Sequence, residues 1–185
     1  MEQAYTNNTD EIIRLVQDRQ LKDRSLWQLA AKQFKGTPDD VDLGWRGEYW
    51  GKLMRGACQT WKYTKDEELY QILQESVLDL LSAQDEEGRI STYSKAAEFQ
   101  GWDLWCRKYV LLGLLHFEEI CRDETQKERI LEAAGRHLDA IIAHIGPEKG
   151  KKKITETSDH WGGINSSSIL EPVVRLYQKD PKPQY

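Results

Sequence analysis

Residues 110–117, VLLGLLHF, are predicted to form a helix that is apolar nearly all the way round. A helix without a polar face must be covered by neighbours on both sides. Residues 124–145 also have a helical pattern, but their apolar side chains recur on one face and charged side chains occupy the other. The polar break at residues 122–124 is so short that the two helices must lie antiparallel. The sequence therefore predicts a hairpin of one buried inner helix and one amphipathic outer helix.

The same hairpin pattern recurs along the chain. A helix predicted over residues 46–63 is followed by one ending near residue 84, and Thr64 with Glu67 has the pattern of a capping box between them. Asp66, Asp123 and Asp180 lie in successive polar breaks and are each 57 residues apart. This spacing indicates a repeat, with the second inner helix over residues 102–121.

The repeat divides a single all-α domain into segments. Residues 1–43 form an entry segment or first hairpin with helical stretches at 10–17 and 25–33, and the successive repeats are 44–100, 101–157 and the incomplete 158–185. The pattern fits an α-solenoid or an α/α toroid. Without a third outer helix, the last inner helix would be uncovered, so we expect it to mediate self-association. Its apolar residues are Ile169, Leu170, Val173, Val174 and Leu176.

Composition excludes several classes of partner. The net charge is −5, with 31 acidic and 26 basic residues, which argues against nucleic acid. We expect no membrane span, because no stretch of about 18 apolar residues occurs. Three cysteines cannot all pair within one chain, and buried free thiols fit a reducing compartment. We therefore expect a cytoplasmic protein, or a periplasmic or secreted one if the natural N-terminus lies upstream.

Each inner helix is entered through a loop that carries tryptophan and polar residues, and the shared repeat phase should gather these loops at one end. Tryptophan rings cover the apolar faces of sugars while neighbouring polar groups bind hydroxyls. The entry loops therefore predict a carbohydrate-binding site. Its candidate residues are Trp45, Arg46, Glu48, Trp102, Asp103, Arg107, His160, Trp161 and Asn165.

Other interpretations of these residue types stay open. Trp50, Trp61 and Trp105 have helical spacing and are expected in the core. Carboxylates could act as the acid and the base or nucleophile of glycoside cleavage, but in a first helical turn they also stabilise the helix dipole. The carboxylates concerned are Glu48, Asp103 and Asp159 or Glu171. No metal site is predicted, since the histidines and cysteines lack ligand spacing.

Three segments resemble a known family: DEEGRISTY at 85–93, GWDLWCRKYVLLG at 101–113 and HWGGINSSSILEP at 160–172. They are similar to the N-terminal part of the catalytic domain of glycoside hydrolase family 127, the β-L-arabinofuranosidases. The resemblance covers residues 45–177. It implies an (α/α) six-hairpin toroid, of which this chain would form about half, and retaining hydrolysis of a furanoside. It also implies a zinc held by cysteines and a glutamate in a full-length relative.

The chain departs from the family in its functional residues. The zinc-binding and catalytic Glu and Cys residues have no counterpart, and Cys58, Cys106 and Cys121 lie elsewhere. Active members carry a histidine where this chain has Lys108-Tyr109, and residues 166–168 replace a second histidine motif. We therefore expect an N-terminal fragment that is inactive alone, holds no cofactor and contributes part of a cleft. Its ligand would be an arabinose-containing or other plant-derived glycan. The alternative is a helical-repeat module that binds proteins without catalysis.

Overall fold

The computed structural model describes residues 8–36, 38, 40, 45–159 and 161–185, except for the side chain of residue 45. The described residues form helices and connecting turns without a β-strand, so the predicted all-α class is confirmed. The helices are α1 (Asn8–Val16, continued by a π-helical turn Gln17–Leu21), α2 (Arg24–Lys32), α3 (Glu48–Thr64), α4 (Glu67–Leu81), α5 (Asp103–Glu118), α6 (Glu124–Ile142), α7 (Ile164–Ser167) and α8 (Leu170–Lys179). Short 3-10 turns lie at Trp45–Gly47, Ile154–Glu156 and Trp161–Gly163.

Helices α3 and α4 form one hairpin, and α5 and α6 form the next. The outer helix of each begins at an aspartate cap: Asp66 accepts a hydrogen bond from Leu69 N–H at 2.8 Å, and Asp123 accepts one from Gln126 N–H at 3.0 Å. The predicted capping box at Thr64 is wrong, because α3 continues through Thr64 and ends at Lys65, where φ is +54°. The aspartate two residues later satisfies the free N–H groups instead.

Helix α5 is the predicted inner helix. All its side chains are buried except those of Trp105 and Tyr109, which are half-buried. It packs against α3 on one side and against α6 and α8 on others. The contact with α3 is unusually close, because a Cβ atom at Gly51 would lie 1.9 Å from the backbone carbonyl oxygen of Tyr109. A glycine is therefore required at position 51 for the two inner helices to meet.

The third repeat differs from its prediction. Its inner helix is broken into α7 and α8 at residues 168–169. We predicted that Ile169 and Leu176 would face water, but both are buried, because α8 packs onto α5 and α6. Leu170 and Val174 are exposed, at 64% and 46% of their surface, as predicted. Self-association through this exposed face stays a prediction.

The entry segment is helical as predicted and covers the first hairpin. Helix α2 packs on α4, and its buried Trp27 donates an indole hydrogen bond to Leu21 O at 2.7 Å. The amphipathic pattern of α2 thus places its apolar face on the outer helix of the first hairpin. Within the described part of the chain, no helix combines the length and apolar character needed to cross a membrane.

Candidate functional site

The three helix-entry segments meet around the start of α5. The first entry segment packs on α5 through Gly47, since a Cβ at position 47 would lie 3.0 Å from the Cβ of Cys106. The third segment reaches the same place, because Asn165 Nδ2 donates to Gly101 O at 3.1 Å. The first and third entry segments thus both contact the second. The side chain of Trp45 and the whole of His160 lie outside the described residues.

Four aromatic side chains form a continuous row across this end of the protein. The ring of Trp161 lies 5.7 Å from that of Trp102, which lies 5.8 Å from Trp105, which in turn lies 5.3 Å from Tyr109. All three contacts are edge-to-face, an arrangement that aromatic quadrupoles favour. We call Trp161, Trp102, Trp105 and Tyr109 the aromatic row. Trp161 is 69% exposed, so one end of the row faces solvent.

A run of left-handed backbone presents Trp161. Trp161, Gly162 and Gly163 have φ values of +51°, +60° and +80°. The glycines adopt this conformation readily, but a tryptophan does so only when its surroundings hold it there. Gly163 also packs on the backbone of Thr155, where a Cβ would lie 2.7 Å from Thr155 Cα. This tight turn lifts the Trp161 ring off the core and places it beside Trp102.

Glu48 joins the aromatic row from the first turn of α3. Its Oε2 accepts a hydrogen bond from the indole N–H of Trp105, and its Oε1 lies 2.8 Å from Lys52 Nζ. The carboxylate is only 14% exposed, so these two contacts hold it in one orientation. Trp105 was expected in the core, yet it is half-buried and belongs to the row. The helical spacing of Trp105 predicts that it faces inward, but it does not distinguish a residue in the core from one at the surface of the site.

Asp103 and Arg107 are not part of the aromatic row, contrary to our expectation, and Arg107 instead lines a cavity with Phe99 and His144. Their side chains are 0% and 1% exposed, and Arg107 Nε lies 3.0 Å from both carboxylate oxygens of Asp103. Asp103 also accepts hydrogen bonds from Ser91 Oγ at 2.5 Å and from Phe99 N–H at 2.8 Å. Arg107 bonds Glu98 at 2.7 Å as well. The pair therefore fastens the irregular segment before α5 onto the helix and has no free hydrogen-bonding face for a sugar.

Burial raises the pKa of the Asp103 carboxyl, but the Arg107 guanidinium and the hydrogen bonds from Phe99 and Ser91 outweigh burial. The pKa of Asp103 consequently lies below its ordinary value, and the group is ionised at neutral pH. A permanently ionised and fully paired carboxylate is unsuited to donate a proton, so Asp103 is a poor general acid.

The remaining predicted residues lie at different depths. Asn165 is buried and positions the third entry segment, while Arg46 is half-buried in the first 3-10 turn. Asp159 and Glu171 are exposed, and Glu171 pairs with Arg175 at 3.3 Å. The described site residues that the structure brings together are thus Trp102, Trp161 and Glu48.

Sequence reasoning missed three members of the site: Lys52, Lys108 and Tyr109. Lys108 lies over the rings of Trp105 and Tyr109, at 3.7 and 4.3 Å from their centroids. Lys52 approaches the same rings from α3, at 5.7 and 5.0 Å. A signal existed, because Lys108 lies in a helix that is predicted to be covered on both sides, and it has no carboxylate four residues before it as Arg107 has in Asp103. A buried lysine without an obvious partner is rare.

The chain's residues do not fit the zinc site that the family implies. Cys58 on α3, Cys106 on α5 and Cys121 in the turn after α5 are buried free thiols. Burial raises the pKa of the Cys58 and Cys106 thiols, which keeps them protonated, whereas a metal ligand must be a thiolate. Across the described ranges, no group of three or more His, Cys, Asp or Glu side chains could hold a metal ion.

Comparison with known proteins identifies the family. The family model described as "Beta-L-arabinofuranosidase, GH127 catalytic domain" matches residues 2–180, which is nearly the whole chain. None of the curated proteins compared with the sequence matches it. The match agrees with the all-α hairpin architecture and with the resemblance in the entry segments, and it favours the glycoside hydrolase over the protein-interaction module. The chain therefore belongs to the glycoside hydrolase family 127 catalytic-domain family.

Proposed function

We propose that this chain supplies part of the sugar-binding cleft of a glycoside hydrolase of the β-L-arabinofuranosidase type, and that it does not cleave glycosides on its own. The observation that carries the proposal is the aromatic row, which ends in the exposed ring of Trp161. Ring faces cover the apolar faces of sugars. Glu48, held beside the row by Lys52 and Trp105, supplies a carboxylate that can accept hydrogen bonds from sugar hydroxyls.

The candidate catalytic residues support the expected lack of activity. Most retaining glycosidases use two carboxyl groups about 5–5.5 Å apart, and the family resemblance implies a catalytic Glu and Cys that have no counterpart in this chain. Of the carboxylates that we considered, Asp103 is buried and fully paired, and Glu171 is paired with Arg175. Glu48 adjoins the row, but both of its oxygens are bonded, to Lys52 and to Trp105, so we expect no pair of catalytic groups among the described residues. A chromogenic arabinofuranoside incubated with the chain should remain intact, and hydrolysis that follows the purified protein would contradict this part of the proposal.

Sugar binding can be tested through the tryptophan indoles. An arabinose-containing oligosaccharide titrated into the chain should shift the indole NMR signals of Trp161, Trp102 and Trp105. Trp27 and Trp50 are internal controls, because both are buried and donate their indole N–H groups within the protein. We expect millimolar dissociation constants, on the order of 4 kcal/mol, since part of a cleft makes only part of the contacts.

A matched pair of variants completes the test. Trp161→Ala removes the exposed ring of the row and should weaken binding severalfold. Leu29→Ala removes a side chain that is similarly exposed, at 60%, on α2 and should leave binding unchanged. If the control indoles shift as much as those of the row, or if Trp161→Ala binds as the wild type does, the row is not the sugar-binding surface.

A further inference from the structure

The charge around the aromatic row is not balanced. Lys108 is only 6% exposed, yet its contacts are the faces of Trp105 and Tyr109, and no described residue places a hydrogen-bond acceptor or carboxylate within bonding distance of its ammonium group. Lysine is almost never so deeply buried unless it is paired. The ammonium nitrogen of Lys108 is not among the buried polar atoms that lack a partner, so it reaches solvent, while the ring faces attract the cation.

The neighbouring carboxylates are already engaged. From α3, Glu48 is bound to Lys52 and to Trp105. From α8, Glu171 is bound to Arg175. Neither carboxylate pairs with Lys108, although both are close enough to act on it electrostatically.

Two further cations face Lys108 from α3. Lys52 lies over the same two rings, and the charge of Arg55 also acts on Lys108. Burial lowers the pKa of Lys108, and repulsion by Lys52 and Arg55 lowers it further, while Glu171 and Glu48 oppose the change. Of the two carboxylates that act on Lys108, Glu48 is bonded to Lys52 and Glu171 to Arg175, so neither is reserved for Lys108.

We propose that the site takes an acidic sugar, a glycan unit whose carboxylate is bound by Lys108 and Lys52 while its ring stacks along the aromatic row. The proposal rests on the proposed sugar-binding function and names the class of substrate. A carboxylate is the ligand group that two converging ammonium groups recognise, and it would supply the charge that the protein leaves uncompensated. A neutral arabinose unit would leave Lys108 without a partner.

The decisive comparison needs no variant. A galacturonate-containing oligosaccharide and its carboxyl-reduced counterpart differ only in the charge of one group. The acidic form should bind about tenfold or more tightly, because hydrogen bonds to charged groups are individually strong. The difference should shrink as salt is added. Free galacturonate at the same concentration measures how much the carboxylate contributes without neighbouring sugar units, and it should bind more weakly than the oligosaccharide.

Variants assign the effect to the lysines. Lys108→Met keeps the length of the side chain and removes its charge, so the ratio of the affinities for the acidic and the carboxyl-reduced oligosaccharide should fall about threefold or more. Lys52→Met should change the preference in the same direction, and it replaces Lys108→Met as the test if that variant folds poorly. Lys65→Met is the matched control, because Lys65 also lies over a tryptophan ring, that of Trp61 at 4.9 Å, at the other end of α3.

The outcomes separate the two proposals. If both oligosaccharides bind equally and shift the indoles of the row, sugar binding stands and the acidic-sugar inference is overturned. If neither shifts those indoles, the proposed function fails and the inference fails with it. A preference for the acidic form that survives Lys108→Met and Lys52→Met, or that Lys65→Met removes as well, would place the carboxylate elsewhere and also overturn the inference.

Discussion

Replacing Asp103 by alanine should destabilise the protein by about 3–5 kcal/mol, because removing one partner of a buried ion pair leaves the other charge uncompensated. Two features of the structure decide where in that range the loss falls, and they act in opposite directions. Arg107 would lose its bonds to Asp103 but keep the one to Glu98 at 2.7 Å. The Ser91 hydroxyl and the Phe99 N–H, which now donate to Asp103, would each lose an acceptor inside the protein.

Urea unfolding followed by circular dichroism measures this free energy. Glu87→Ala is the control, because it removes a carboxylate from an exposed ion pair. The side chains of this pair, Glu87 and Lys95, are 65% and 59% exposed. It should unfold as the wild type does, since exposed pairs contribute little. A loss below about 1 kcal/mol for Asp103→Ala would refute the argument that this pair is structural, given the cost of an uncompensated buried charge.

The same pair predicts how stability depends on pH. The pKa of Asp103 is lower in the folded than in the unfolded state, so in acid the unfolded chain binds more protons. The stabilisation by Asp103 is therefore fully present above its unfolded pKa of about 3.9 and is lost as the pH falls through the folded pKa. The difference in unfolding free energy between the wild type and Asp103→Asn should shrink between pH 5 and pH 3, and a constant difference would contradict this assignment.

Two other predictions concern packing. Gly51→Ala should destabilise the protein strongly, since the new Cβ would lie 1.9 Å from Tyr109 O. In the control Gly56→Ala, on the same helix, the Cβ meets nothing within 4 Å, and this variant should be more stable than the wild type by about 0.4–1 kcal/mol. Equal urea midpoints for the two variants would argue against close contact of the inner helices. Leu114→Ala on α5, fully buried, should cost about 2–5 kcal/mol, and Leu78→Ala, 40% exposed on α4, much less. Equal losses would mean that the inner and outer helices are reversed.

Hydrophobic periodicity was sufficient to predict the hairpins. Burial of a helix depends mainly on how its apolar side chains are distributed, and α5 is apolar on nearly every side. The pattern also identified the polar break that precedes each outer helix. For α4, however, it predicted Thr64 as the N-cap, whereas the structure has Asp66 in that position. Both Thr64 and Asp66 can cap a helix. Which of them caps α4 depends on the residue at which α3 ends, and helix ends are defined by sequence pattern only to within one or two residues.

The site was harder to predict, because the partners of a charged side chain depend on distant segments. Asp103 and Arg107 could have faced a ligand, and their spacing of four residues alone does not say otherwise. Ser91 and Phe99, on the irregular segment that precedes α5, fold back and bury the pair. Trp105 shows the converse case: its spacing suggests the core, while its position on the inner face of the bundle joins it to Glu48.

The close approach of α3 and α5 has a consequence for cooperativity. These two helices belong to different hairpins, yet they lie backbone against backbone at Gly51 and Tyr109, and Gly113 receives the Trp50 ring, where a Cβ would lie 2.6 Å from Cζ3. In a repeat protein, strong interfaces between neighbouring units couple their unfolding. We therefore expect that the hairpins do not unfold as independent foldons. Backbone amides of α3 and α5 should exchange with solvent through one shared opening, and each hairpin should lose its native hydrogen-exchange protection when the other unfolds.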